Sequence, residues 1–222
     1  MPKSSPGFTL VEVSVLLLAV SLMLATSVKA AEWVDASKVR SLAQEFREGP
    51  MIVESYRAAH RALPGDDPAA GRFAGTTAAP GAGDGVVDGG WNSDAAADES
   101  FLLWQHLRAA GLAGGPVEQE GDGRLLARPP RNAFGGRIGI QGGRSGPIAD
   151  FVAAQLMCSA RIPARAAERV DRLLDDGIPD RGRMRAAAES GEPAPFRPGV
   201  SAARAAVAHY AEGDLVTLCL AF

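Results

Sequence analysis

The chain has 222 residues, 46% of them hydrophobic and 22% charged, with a formal net charge of −3. That length holds one ordinary domain plus a further segment, and the scattered arginines in an acidic chain leave no electrostatic footprint for nucleic acid. The apolar residues are uneven: they crowd the positions before residue 28, whereas Gly and Pro crowd the stretch from Pro64 to Pro147.

The first predicted element is the apolar run from Phe8 to Val28, in which Glu12 is the only ionisable side chain. As a helix, its 21 residues are enough to span about 30 Å of hydrocarbon. A carboxylate at bilayer depth costs about 2.5–3.5 kcal/mol on insertion scales, so Glu12 needs a partner. Lys3 and the amino terminus favour a cytoplasmic N-terminus with the rest translocated. A secretory signal is the competing reading, with an A-x-A-like site around Lys29 to Ala31. Against it stand the length of the run and the position of Glu12.

Gly7-Phe8-Thr9-Leu10-Val11-Glu12 resembles the cleavage and methylation motif of type IV prepilins and type II secretion pseudopilins. The resemblance implies cleavage by a prepilin peptidase between Gly7 and Phe8, N-methylation of Phe8, and a role for Glu12 in assembly. There its carboxylate would meet the amine of a neighbouring subunit. It also implies a division into a leader at 1–7, a transmembrane half-helix at 8–28, an amphipathic stalk at 29–63 and a periplasmic head at 64–222.

Helical periodicity continues past Val28. Val39, Leu42, Ala43, Phe46, Val53 and Tyr56 follow spacings of three, four and seven, with Lys38, Arg40, Gln44, Arg47 and Glu48 on the other faces. Gly49-Pro50 predicts a kink or an interruption, because proline removes a backbone donor. The helix is expected to end at Leu63-Pro64-Gly65-Asp66-Asp67-Pro68, where Pro then Gly suits a type II turn. The wording YRAAHRALPGDDPAAGRF is similar to pilin-like proteins whose stalk runs into an LPGD turn.

Residues 65–98 read as a long Gly-, Pro- and Asp-rich loop. Within it Asp84 and Asp88 occupy positions suited to calcium, with Gly85 at the turn between them, but the remaining positions of a calcium loop are filled by Pro80, Ala82 and Trp91. A Gly-Asp turn cluster explains the same residues without a metal. Further on, Asp98 to Arg108 predicts a helix with Phe101, Trp104 and Leu107 on one side, and 132–140 reads as a strand after its glycines. The residues of 151–159 are ambiguous in themselves, and the pilin resemblance implies a strand there leading to Cys158. Pro163 to Leu174 predicts a short helix capped by Gly177, and Leu215 to Phe222 a strand buried on both faces.

Cys158 and Cys219 suit either buried thiols in a cytosolic protein or one disulfide in an exported one. The pilin resemblance implies the bridge, tying the strand before the short helix to the last strand. His60, His106 and His209 have no second ligand at metal spacing, and Asp66-Asp67 and Asp175-Asp176 fall in turns, so no catalytic set emerges. The expected fold class is α+β: a long N-terminal helix packed on a small C-terminal head of antiparallel strands and short helices. The expected function is that of a non-enzymatic subunit of a type IV pilus, a minor pilin. Its partners would be prepilin peptidase, sister subunits and the inner membrane, with no cofactor required. A type II secretion pseudopilin and a membrane-anchored surface-binding module are the alternatives.

Overall fold

The computed structural model describes residues 7–73, 81–115, 118–119, 125–126, 128–144, 146–189 and 203–222; for residues 24–32 and the strands at 118–119 and 125–126 it describes the backbone only. The order of elements is α1 (Leu10–His60), a 3-10 turn (Ala70–Arg72), α2 (Glu99–Ala109), β1 (Glu118–Gln119), β2 (Leu125–Leu126), β3 (Ile138–Gly142), β4 (Gln155–Pro163), α3 (Ala164–Leu174), β5 (Met184–Ala188) and β6 (Leu215–Ala221). The chain divides into two compact units, one up to Lys38 and one from Val39 to Phe222.

In the first unit, helical residues from Leu10 to Leu18 expose large apolar side chains, Leu10 at 86% and Leu18 at 66%. Among the described residues no helix is long and apolar enough to cross a membrane. The stretch with described side chains from Leu10 to Met23 covers only about 21 Å at the helical rise, short of the hydrocarbon thickness. The remainder of the expected 8–28 span, and the leader up to Pro6, lie outside the described residues and side chains.

The second unit is α+β. Its four-stranded antiparallel sheet runs in the order β3-β4-β6-β5. On one face the predicted stripe of α1 is buried: Leu42, Phe46, Val53 and Tyr56 have no exposed surface, and they join α2, α3, Met157, Ile162 and Leu218 in one core. The reverse face carries a smaller core of Trp91, Ile148, Phe151, Leu156, Cys158, Ala160 and Cys219. Side chains alternate between these cores along β4 until the pairing register shifts between Ser159 and Ile162. Arg161 takes a φ of 58° at that bulge. The extra residue reverses the parity of the strand, so Met157 and Ile162 face the same side.

Several expectations need correction. Gly49-Pro50 does not interrupt α1; Pro50 lies inside it. The missing donor is tolerated because buried residues on both sides of it, Phe46 and Val53, hold the helix to the core. Gly49 itself is buried, and a Cβ there would lie 2.2 Å from the sulfur of Met157. The helix ends at His60, before Leu63, with Arg61 in the left-handed region at φ 57°. α2 is not one-sided: every residue from Glu99 to Leu107 is buried. The strand expected at 132–140 starts only at Ile138, because Asn132 to Arg137 form a turn. β4 starts at Gln155 and continues to Pro163, later than predicted, while α3 and β6 fall where the sequence places them.

Cys158 and Cys219 are directly paired residues of β4 and β6 and form a disulfide with a sequence separation of 61. On the chain-entropy account, closing a loop of that length stabilises the fold by about 4 kcal/mol. Urea unfolding of the Cys158→Ala/Cys219→Ala variant should therefore show a loss approaching that size, with the β4–β6 pairing retained by circular dichroism. A loss under about 1 kcal/mol would show that the bridge constrains the unfolded chain little.

Candidate functional site

At the N-terminal motif, Phe8 is 86% exposed and Gly7 has open space around its Cα. Helix α1 begins at Leu10, which makes Thr9 its cap and Glu12 the third helical residue. The two form a reciprocal capping box. The Glu12 N–H donates to Thr9 Oγ1 at 3.2 Å, while Glu12 Oε2 accepts from both the Thr9 N–H and the Thr9 hydroxyl at 3.0 Å. Glu12 thus has a partner three residues away. The T-x-x-E signature before an apolar run was legible in the sequence.

A second constellation surrounds the Leu63–Pro68 turn, where α1 passes into the loop. Asp67 is 1% exposed and accepts four hydrogen bonds. Oδ2 receives the Tyr56 hydroxyl at 2.6 Å and Arg72 Nη2 at 2.5 Å; Oδ1 receives Arg72 Nη1 at 3.1 Å and the Ala69 N–H at 2.8 Å. Burial by itself would raise the pKa of this carboxyl, but Arg72, Tyr56 and the Ala69 amide outweigh it and hold it at about 2. Burial and the hydrogen bond to Asp67 push the Tyr56 phenol well above its ordinary value. His106, fully buried on α2, accepts the Gly65 N–H at Nδ1 at 2.9 Å. Gly65 has a φ of 94°, the value a type II turn requires after Pro64.

Asp66 and Glu99 clasp the loop at 81–88. Asp66 Oδ1 accepts the N–H groups of Gly83 and Asp84, and Oδ2 that of Gly85; Glu99 accepts those of Ala82 and Asp88. Positive φ values of 76° at Gly83 and 84° at Gly85 let successive amides turn toward one carboxylate.

The two calcium candidates part company in this arrangement. Asp84 lies with Asp66 and Glu99 in a group whose ligand atoms fall within 4.8 Å of one another, and Asp88 belongs to no such group among the described residues. Five backbone N–H dipoles already face Asp66 and Glu99 and supply positive potential without a cation. Asp84 Oδ1 accepts the Val86 N–H in a local turn. Asp84 and Asp88 also line one shallow cleft together with Arg144. A metal here would be held by Asp66, Asp84 and Glu99, in competition with those amides.

In the sequence Asp66 and Asp67 read simply as turn residues. Their burial, and the dependence of Tyr56, Arg72, Gly65 and the glycine loop on that turn, emerges only from the three-dimensional arrangement. His60 packs at a tilt against Tyr56 and edge-on against Phe73, with ring centroids 4.5 and 5.2 Å away. No family model matches the chain, and no curated protein or solved structure matches it.

Because Asp67 titrates below the ordinary carboxylate range when folded, it stabilises the fold fully above that range, and the contribution is lost as pH falls toward about 2. Its size is on the order of 2 kcal/mol. The stability gap between wild type and Asp67→Asn, measured by urea unfolding, should therefore narrow between about pH 4 and pH 2 beyond any constant loss. A gap independent of pH would mean that the carboxylate charge contributes nothing.

Proposed function

We propose that this chain is a pilin-like structural subunit of a bacterial envelope filament, a minor pilin of a type IV pilus, processed between Gly7 and Phe8. The supporting observation is the start of α1, where Leu10, Val11, Val15, Leu16, Leu17 and Leu18 are all more than 60% exposed around a single carboxylate. A contiguous apolar surface of this kind belongs against lipid or against other helices. Before assembly the head from residue 64 onward lies in the periplasm, and the apolar helix anchors it to the inner membrane. In the filament the same residues pack on sister helices. The Cys158–Cys219 bridge suits an oxidising compartment.

The capping box refines the part played by Glu12. Within one subunit Thr9 holds the carboxylate at the helix end, where the helix dipole also favours it. Cleavage creates the Phe8 amine one residue before that cap, and in assembly Glu12 accepts the amine of a neighbouring subunit in place of Thr9. A pseudopilin of a type II secretion machine would use the same residues in the same way.

Two measurements test this reading. Mass spectrometry of the membrane fraction, in cells that carry a prepilin peptidase, should give a mature chain beginning with methyl-Phe8; a chain starting near Ala31 would overturn it. Glu12→Gln keeps the acceptor of the capping box and removes the charge. It should remain membrane-bound yet fail to enter sedimentable filaments, as Glu12→Ala should. Filament assembly at the wild-type level by the Gln variant would reduce Glu12 to a helix cap.

A further inference from the structure

The end of α2 and the turn before β3 together build a cleft of about 380 Å³ whose described lining includes Arg108, Arg128, Arg131 and Arg137 and one carboxylate, Asp94. The chain as a whole is acidic, so four arginines around one opening stand out from their surroundings in the sequence.

Each part is held firmly. Asn132 is buried, and its Oδ1 accepts the N–H groups of Phe134 and Gly136 while its Nδ2 donates to Ser159 Oγ and the Ala160 carbonyl. That turn brings Arg131 and Arg137 opposite each other in an isolated antiparallel bridge. Residues facing one another across such a bridge have their Cβ atoms about 5 Å apart, and like charges there repel. Arg137 donates to the Asn92 carbonyl and to Asp94 at 2.6 Å, and Arg131 donates to the Gly135 carbonyl.

Arg108, in the last turn of α2, donates from Nε to the Gly114 carbonyl at 3.0 Å, and its Nη1 is buried with no acceptor. Gly115 has a φ of 123°, and a Cβ there would lie 2.8 Å from Arg108 Nη2. Gly115 thus lets the backbone fold closely over the guanidinium. Among the described residues no carboxylate bonds Arg108, and burial disfavours its charged form. Arginine stays ionised at neutral pH, so this half-buried guanidinium, with its Nη1 out of water and unbonded, suits an anion. Asp94 is mostly exposed and already bound to Arg137.

We propose that this cleft is an oxyanion-binding site that takes a carboxylate or phosphate group, held by Arg108 and Arg131 with Arg128 and Arg137 beside it. A guanidinium offers two parallel N–H donors to such a group, which favours a bidentate oxyanion over a halide. Pro129 and Pro130 supply an apolar wall for whatever carries it. The site is independent of the filament reading.

Titration calorimetry of the full chain in uncharged detergent at low ionic strength tests the proposal with two probes, inorganic phosphate and a synthetic oligoglutamate peptide. Saturable binding of at least one is expected, weakened about tenfold or more in Arg131→Gln and in Arg108→Gln. The control Arg165→Gln, at an exposed α3 residue paired with Glu212, should bind as wild type does. Phosphate binding alone identifies a small free anion as the ligand; peptide binding identifies an acidic segment of a partner protein. Arg131 is exposed and lies outside both cores, so its variant folds and decides the outcome even if Arg108→Gln unfolds. No saturable binding of either probe, or binding that Arg131→Gln leaves unchanged, overturns the proposal.

Discussion

A carboxylate taken out of water must recover its hydration from the protein, and Asp67 does so from three directions at once. Tyr56 reaches it from α1, Arg72 from the 3-10 turn, and the Ala69 amide from the loop. Satisfying that one group fixes the exit of the chain from the long helix. Once the exit is fixed, Asp66 next to it points at the glycine loop, and Gly65 before it meets His106 on α2. The junction therefore joins helix, loop and second helix through polar contacts that are buried and interdependent. Losing one partner would leave the others unsatisfied, at a greater cost than any single hydrogen bond suggests.

Much of the head was legible because its elements carry strong periodic signals. The α1 stripe from Val39 to Tyr56, the amphipathic α3 and the largely apolar β6 all lie where their patterns place them. Cys158 and Cys219 face each other because the strands around them pair in that register. The failures have equally local causes. Proline argued for a break at residue 50, but local propensity yields where packing holds the helix on both sides. α2 buries Glu99, Gln105 and His106 as well as its apolar residues, so no polarity pattern could reveal that it is covered all round. β5, with the sequence MRAAA, has too little apolar character to be read as a strand, yet it pairs with β6 over five residues.

The candidate sites divide along the same line. Glu12 and its motif stand out in the sequence because a charge in an apolar run is conspicuous. Asp66, Asp67 and the four arginines of the cleft do not, because each is ordinary where it stands in the chain. Their significance comes from residues far away: Glu99 and Asp66 act on the same loop from positions 33 residues apart, and Arg108 shares a cleft with Arg131 and Arg137. Spacing along the chain carries no trace of such encounters.

The place of β6 has a consequence for how the head is made. It follows β3, β4 and β5 in the sequence, yet it lies between β4 and β5. Until residues 215–221 emerge, β5 has no partner strand in the sheet and Cys158 has no bridge to form. Domains commonly begin folding from their N-terminal side during synthesis, at about 5–20 residues per second. This head cannot complete its sheet that way. It waits, with the edges of β4 and β5 open, for residues 215–221 to slide in between.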